Sequence, residues 1–220
     1  MQQASEQVEN GLAEPALDEW LDQAEARVAA LGRAFAGAIA PVLQTLTPEQ
    51  VDELRDASRQ RHAKAMDEYA QPQREARLAA RRARVIKRIE RWSGGLDAAQ
   101  RAAVGPAIDA LPDGAARWLA EHHARELQIL EHIAKPSATD NKAYSGASSE
   151  DLLQMLEAWL GRSGEVSFTE RQRRRAMRKR IIALVLTVDR VVASSQRAQV
   201  VESLNGYGQL ALKEARRKAN

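Results

Sequence analysis

The chain contains no cysteine. That excludes disulfides, thiolate metal sites and cysteine nucleophiles, and it leaves the redox compartment open. Aromatic residues make up 4% of the 220 positions, with only 12 Gly and 7 Pro. A chain poor in turn formers and rich in Ala, Leu, Arg and Glu is expected to be all-α. No segment alternates apolar and polar residues as a strand does. The longest apolar run, Ile181 to Val188, is far too short to span a bilayer, so no transmembrane segment is expected. Met1 is followed by polar residues and no signal peptide is visible. A G-x-S-x-G elbow, a phosphate-binding loop and a dinucleotide fingerprint are also missing. We therefore expect neither an enzyme nor a bound cofactor.

What the chain does contain is helical periodicity punctuated by caps. Leu46-Thr47-Pro48-Glu49-Gln50 reads as a capping box: Thr47 accepts from the first free N–H groups of a helix, and Gln50 reaches back to the Thr47 N–H. Pro48 falls at the first helical position, where its missing N–H costs nothing, and Leu46 and Val51 form a hydrophobic staple. Leu96-Asp97-Ala98-Ala99-Gln100 repeats this logic with Asp97 and Gln100, and Val192-Ala193-Ser194-Ser195-Gln196 repeats it loosely, with Ser194 expected to replace the lost cap. The cap positions lie 50 and then 96 residues apart, as if a copy near residue 145 had been overwritten. Ser167-Phe168-Thr169-Glu170 is a further capping box, with Ser167 and Glu170 as its partners.

The spacing predicts seven or eight helices in antiparallel hairpins, an irregular helical bundle. Residues 1–13 are expected to be a disordered terminus, 14–134 a helical hairpin region, 135–147 a linker, and 148–220 a C-terminal helical region packed on the first. In the first long helix Leu17, Trp20, Leu21, Ala24, Val28, Leu31, Phe35, Ile39 and Val42 make one apolar stripe, expected to face the core. Asp113 is expected to cap the helix that carries Trp118. The four tryptophans, Trp20, Trp92, Trp118 and Trp159, are expected to anchor helices to one another.

The net charge of +3 hides an asymmetry. Residues 1–56 carry 11 acidic and 3 basic side chains, whereas residues 57–220 carry 19 and 30. Arg74, Arg77, Arg81, Arg84, Arg88 and Arg91 recur at spacings of three and four and form one stripe of a helix. Arg171, Arg173, Arg174, Arg175, Arg178, Lys179 and Arg180 are denser, too dense to be paired locally. Both are candidate electrostatic binding faces for phosphates, anionic lipid or an acidic polypeptide; the competing reading is a solvated helix face. Nucleic acid is a lesser expectation, because only Phe168 is available for stacking and no groove-binding motif is present. His122, His123, Glu126 and His132 lack the spacing of a zinc site, and are read as surface histidines beside a Glu121–Arg125 pair.

The Leu-Thr-Pro-Glu-Gln cap, the hairpin opened by Leu96–Arg101, the helix ending Ile89-Glu90-Arg91-Trp92 and the segment Val201-Glu202-Ser203-Leu204-Asn205-Gly206-Tyr207 together resemble an uncharacterised family of bacterial lipoproteins from Gram-negative envelopes. The resemblance covers roughly residues 40–215. It implies an all-helical fold facing the periplasm on a lipid anchor, and it supplies no catalytic residues. The chain departs from that pattern in lacking the lipoprotein signal and its cysteine, which leaves a cytoplasmic location as the alternative. The Leu-Thr-x-x-Gln element is also similar to the signature of the small Spy-type periplasmic chaperones, though a capping box accounts for the same residues. The expected function is a non-enzymatic envelope binding protein, chaperone- or sensor-like, that meets a protein client or an anionic envelope component. The alternatives are a cytosolic nucleic-acid-binding module and a lipid-anchored inhibitor or immunity-type protein.

Overall fold

A computed structural model describes residues 2–69, 73–134, 149–160 and 167–219. Among them are nine helices and no strand: α1 (Gln2–Asn10), α2 (Glu14–Leu43), α3 (Pro48–Tyr69), α4 (Arg74–Ser93), α5 (Ala98–Asp109), α6 (Ala115–Ile133), α7 (Ser149–Leu160), α8 (Phe168–Val191) and α9 (Ser194–Ala219). The expected linker at 135–147 lies outside the described residues.

The all-α expectation holds, but the order of domains along the chain does not. Two compact units are each assembled from separated stretches. One comprises Met1–Trp20, Glu75–Pro112 and Phe168–Asn220; the other comprises Leu21–Arg74 and Asp113–Ser167. The interleaving arises because helices pair with partners distant in the chain, α5 with α8 and α1 with α9 in the first unit, α3 with α6 in the second.

In the first unit the apolar core is small. Leu96, Val104 and Ile108 are buried, with Val85, Ile86 and Ile89 of α4 and Leu184, Val188 and Val191 of α8 packed on them. Residues 1–13 are not a disordered tail here. Val8 is buried, the Ser5 hydroxyl donates to Asn205 Oδ1 at 2.9 Å, and Arg197 donates to the Val8 carbonyl at 2.7 Å. Polar residues can thus hold a terminal helix when each finds a partner. Gly94 takes φ +80° after α4, the left-handed stop that the Ser93-Gly94-Gly95 sequence predicts; a Cβ there would meet Gln199 Oε1 at 2.6 Å.

In the second unit the core is larger. Ala36, Ala40, Val51, Ile129, Leu130, Ile133, Leu152 and Leu156 are buried together, with Leu46 packed against them. The staple of Leu46 and Val51 is therefore part of that core. The stripe expected to bury α2 does so only in part. Leu17 is buried and Ile39 packs on the core of the second unit, but Val28, Leu31, Phe35 and Val42 are 51, 71, 53 and 54% exposed; alongside Ile39, α2 meets that core through Ala36, Ala40 and the partly buried Leu43. Small side chains let helices approach closely, so the alanine face wins the interior. α2 is also long and apolar enough to cross a membrane by length and composition, with mean hydropathy 1.4 over its best window. A search for uninterrupted apolar runs misses it because Arg27 and Arg33 break the run.

Candidate functional site

Two of the expected capping boxes are closed by both of their bonds. The Thr47 N–H donates to Gln50 Oε1 at 2.9 Å and the Gln50 N–H to Thr47 Oγ1 at 3.3 Å. Asp97 and Gln100 make the same two bonds at 3.0 and 2.8 Å. In the third copy Ser194 does not take over the cap, because it already lies inside α9. Ala193 holds the position, and its N–H still donates to Gln196 Oε1 at 2.8 Å. At α6 the cap is Gly114 rather than Asp113, without a side-chain bond. Ser167 directly precedes α8, and Glu170 in its first turn pairs with Arg173 and Arg174 at 3.9 and 3.3 Å.

Two of these copies meet. Gln100 Nε2 donates to the Val191 carbonyl at 2.8 Å, and Gln196 Nε2 donates to the Gly95 carbonyl at 2.7 Å. The two amides also bond each other, at 2.7 and 3.2 Å. Each group that bonds across the junction, Gly95 and Gln100 on one side and Val191 and Gln196 on the other, has its counterpart 96 residues away, so the junction is a local two-fold built from one repeated element. It holds the start of α5 and the start of α9 together in the first unit.

The arginine stripe of α4 is divided by its contacts. Arg81 donates to the carbonyls of Leu111, Pro112 and Asp109 at 2.9, 3.2 and 3.3 Å. It satisfies the orphan acceptors at the end of α5 and is not available as a binding residue. Arg77 and Arg84 are half-buried and each has an interaction of its own. Arg74, Arg88 and Arg91 remain exposed. Glu90 of α4 does not pair with the stripe: its carboxylate accepts from Arg101 at 2.7 Å and from the Leu96 N–H at 3.3 Å. Those two donors hold the Glu90 carboxyl below its usual range.

The basic half of α8 is different. Every residue from Arg171 to Met177 is exposed, as are Lys179 and Arg180. Arg174 is tied to Glu170. Arg178 is bound to the carboxylate and carbonyl of Asp18, so it holds the start of α2 in this unit and is removed from the set of free cations. Arg171 has an interaction of its own. Arg175, Lys179 and Arg180 have no ion pair among the described residues. Three like charges on two turns of exposed helix, without a counter-ion among the described residues, repel one another.

The second unit contains a cluster that sequence reading underrates. The His62 and His123 rings stack with centroids 4.3 Å apart, and Ser58 Oγ lies 3.1 Å from His123 Nδ1. Burial is the first cause that pushes the His123 ring below its ordinary value, and repulsion from His62 is the second. His122 lies between Trp118 and Trp159, at 5.0 and 5.2 Å. These are not plain surface histidines, and Trp118, half exposed, is not a core anchor. Glu121 pairs with Arg117 at 3.6 Å, not with Arg125. Beside the cluster an apolar cavity of about 150 Å³ is lined by Phe35, Ile39, Leu54, Ile129, Leu156 and Trp159 among others, with Arg61 and Glu126 at its polar part. Those two form an ion pair at 2.7 Å, and the buried indole N–H of Trp159 has no partner among the described residues. The signal that marks this region in the sequence is the i, i+4 spacing of Ser58 with His62 and of Trp118 with His122. It becomes legible only once α3 is known to pack on α6.

No curated protein and no solved structure matches the chain. A family model matches residues 1–159, which covers α1–α6 and nearly all of α7 and stops short of α8 and of the Val201–Tyr207 segment. The chain belongs to DUF6279, a family of unknown function.

Proposed function

We propose that this is a non-enzymatic helical binding protein of the bacterial envelope, and that the basic half of α8 captures an anionic partner: an acidic client chain or an anionic envelope surface. The observation that carries this reading is the exposure of Arg175, Lys179 and Arg180 without a counter-ion among the described residues. The α4 stripe contributes less, because Arg81 is committed to the end of α5. Arg74, Arg88 and Arg91 are its accessible part.

The test is charge reversal at Arg175, Lys179 and Arg180 to Glu. Each cation near an anionic surface is worth about 1 kcal/mol, so the triple variant is expected to bind anionic vesicles or polyglutamate roughly 100-fold more weakly at low salt. Its melting temperature is expected to stay that of the parent, since these side chains are exposed. Equal binding by parent and variant removes α8 from the function. Preferential binding of the parent to duplex or single-stranded DNA, with a steep loss on adding salt, favours the nucleic-acid module instead.

A further inference from the structure

α2 carries two apolar faces, and only one is used. The face bearing Ala36 and Ala40 is buried in the core of the second unit. The other is a strict heptad seam. Leu21, Val28, Phe35 and Val42 recur every seven residues, and Ala24, Leu31 and Ala38 interleave at the fourth position of each heptad. No position of the seam is charged over three heptads. Every member except Leu21 is exposed, and Leu31 at its middle is 71% exposed. A repeat of 3.5 residues is what keeps one helix against another along its length. α2's own core contact does not use it.

We propose that this seam pairs with the same seam of a second copy of the chain, antiparallel, about a two-fold axis at the level of Arg33. Three observations select a second copy. The first is self-complementarity: antiparallel pairing sets Leu31 against Phe35, Val28 against Ala38 and Ala24 against Val42, so large side chains meet small ones at both ends and the two bulkiest share the centre. Of the two shoulder positions beside the centre, Ala34 is small and exposed, which lets the backbones approach on that side, and Gly32 is buried within the chain's own unit. The second is area. Four large side chains, each more than half exposed, together with the exposed alanines, supply on the order of 500 Å² per copy, or about 1,000 Å² in all, the lower bound for a specific interface. The third is that α2 is already folded, so pairing incurs no cost of ordering a helix. A lipid occupant fits less well. Spanning a bilayer requires Ala36, 0% exposed, to leave its core and Arg33 to enter hydrocarbon, and Asp22 and Glu25 flank the seam where anionic headgroups would lie.

The interface is small, so the expected dissociation constant is on the order of 10–100 μM. Sedimentation velocity of the full chain from about 1 to about 200 μM is expected to show a shift from monomer to dimer. Leu31→Lys is expected to abolish the shift while keeping the parental melting temperature. Because the chain has no cysteine, single-cysteine variants report the register directly. A mixture of Leu31→Cys and Phe35→Cys is expected to give the mixed disulfide in excess over either homodimer. Homodimers from each variant alone overturn the antiparallel pairing. A monomer at every concentration without cross-linking overturns the proposal, and so does adsorption of the parent monomer to neutral phospholipid vesicles that Leu31→Lys removes.

Discussion

The two units solve the same problem with different currencies of contact. The second buries eight apolar residues in one cluster, among them Leu152 and Leu156, each 1% exposed. The first has a cluster of only three, with Val8, Leu17, Ile182 and Val201 buried outside it, and it adds polar bonds between distant parts of the chain. Arg197 bonds both Asp189 and the Val8 carbonyl, Asp189 accepts from the Leu12 N–H at 3.1 Å, Arg178 holds Asp18, and Gln100 pairs with Gln196. The difference teaches that helices with little apolar surface can still be fixed in place, provided each polar group finds a defined partner. Such contacts confer geometry more than stability, since a neutral hydrogen bond nets about 1 kcal/mol.

That comparison is open to direct attack. The largest effect is expected from Leu156→Ala in the second unit, which removes a fully enclosed side chain and costs about 2–5 kcal/mol. Hydrogen exchange read helix by helix is expected to show lost protection in α6 and α7 with α5 and α8 little changed. Equal loss in all four breaks the comparison, because the units then share one stability. A smaller effect is expected at the glutamine junction. Gln100→Ala and Gln196→Ala each leave the other amide short of a partner, and a double-mutant cycle in urea is expected to return a coupling of about 1 kcal/mol. Zero coupling means that the bond between the two amides does not contribute to the stability of the first unit.

Much of the second unit was legible as periodicity. The helices α3 and α6, the Thr47–Gln50 box and the staple of Leu46 and Val51 follow from local rules that involve residues a few positions apart. The stripe of α2 was legible as a stripe but not as exposed, because periodicity reports that a face is apolar without reporting what covers it. The first unit was harder to read. The repeat of Asp97 and Gln100 at Ala193 and Gln196 is visible in the sequence, but that the two copies bond each other is a long-range fact. The same holds for Arg81, one of six arginines in a regular stripe, whose role comes from the end of a different helix. Arginine spacing shows that a face is cationic, and only the fold shows which cations remain free.

The smallest expected effect sharpens the contrast from the second unit's side, where one polar cluster stands against an otherwise apolar core. His123 faces His62 in a parallel stack, Ser58 Oγ near its Nδ1, and the charges of Glu126, Arg59 and Arg61. Burial and His62 push its ring below 6.5, and Glu126 opposes them. Well above pH 6.5 the ring is neutral whether the chain is folded or not, so it adds no pH dependence there. As the pH falls through 6.5 the unfolded chain takes up the proton first. The folded state loses stability until the pH has passed below the folded value, where the loss is complete. Urea midpoints of the parent are therefore expected to decline on acidification through this window, and those of His123→Gln, which keeps a polar group beside Ser58 but cannot titrate, are expected to decline less. Parallel declines in the two proteins mean that other groups carry the acid response, and that His123 acts there through packing and not through its own protonation.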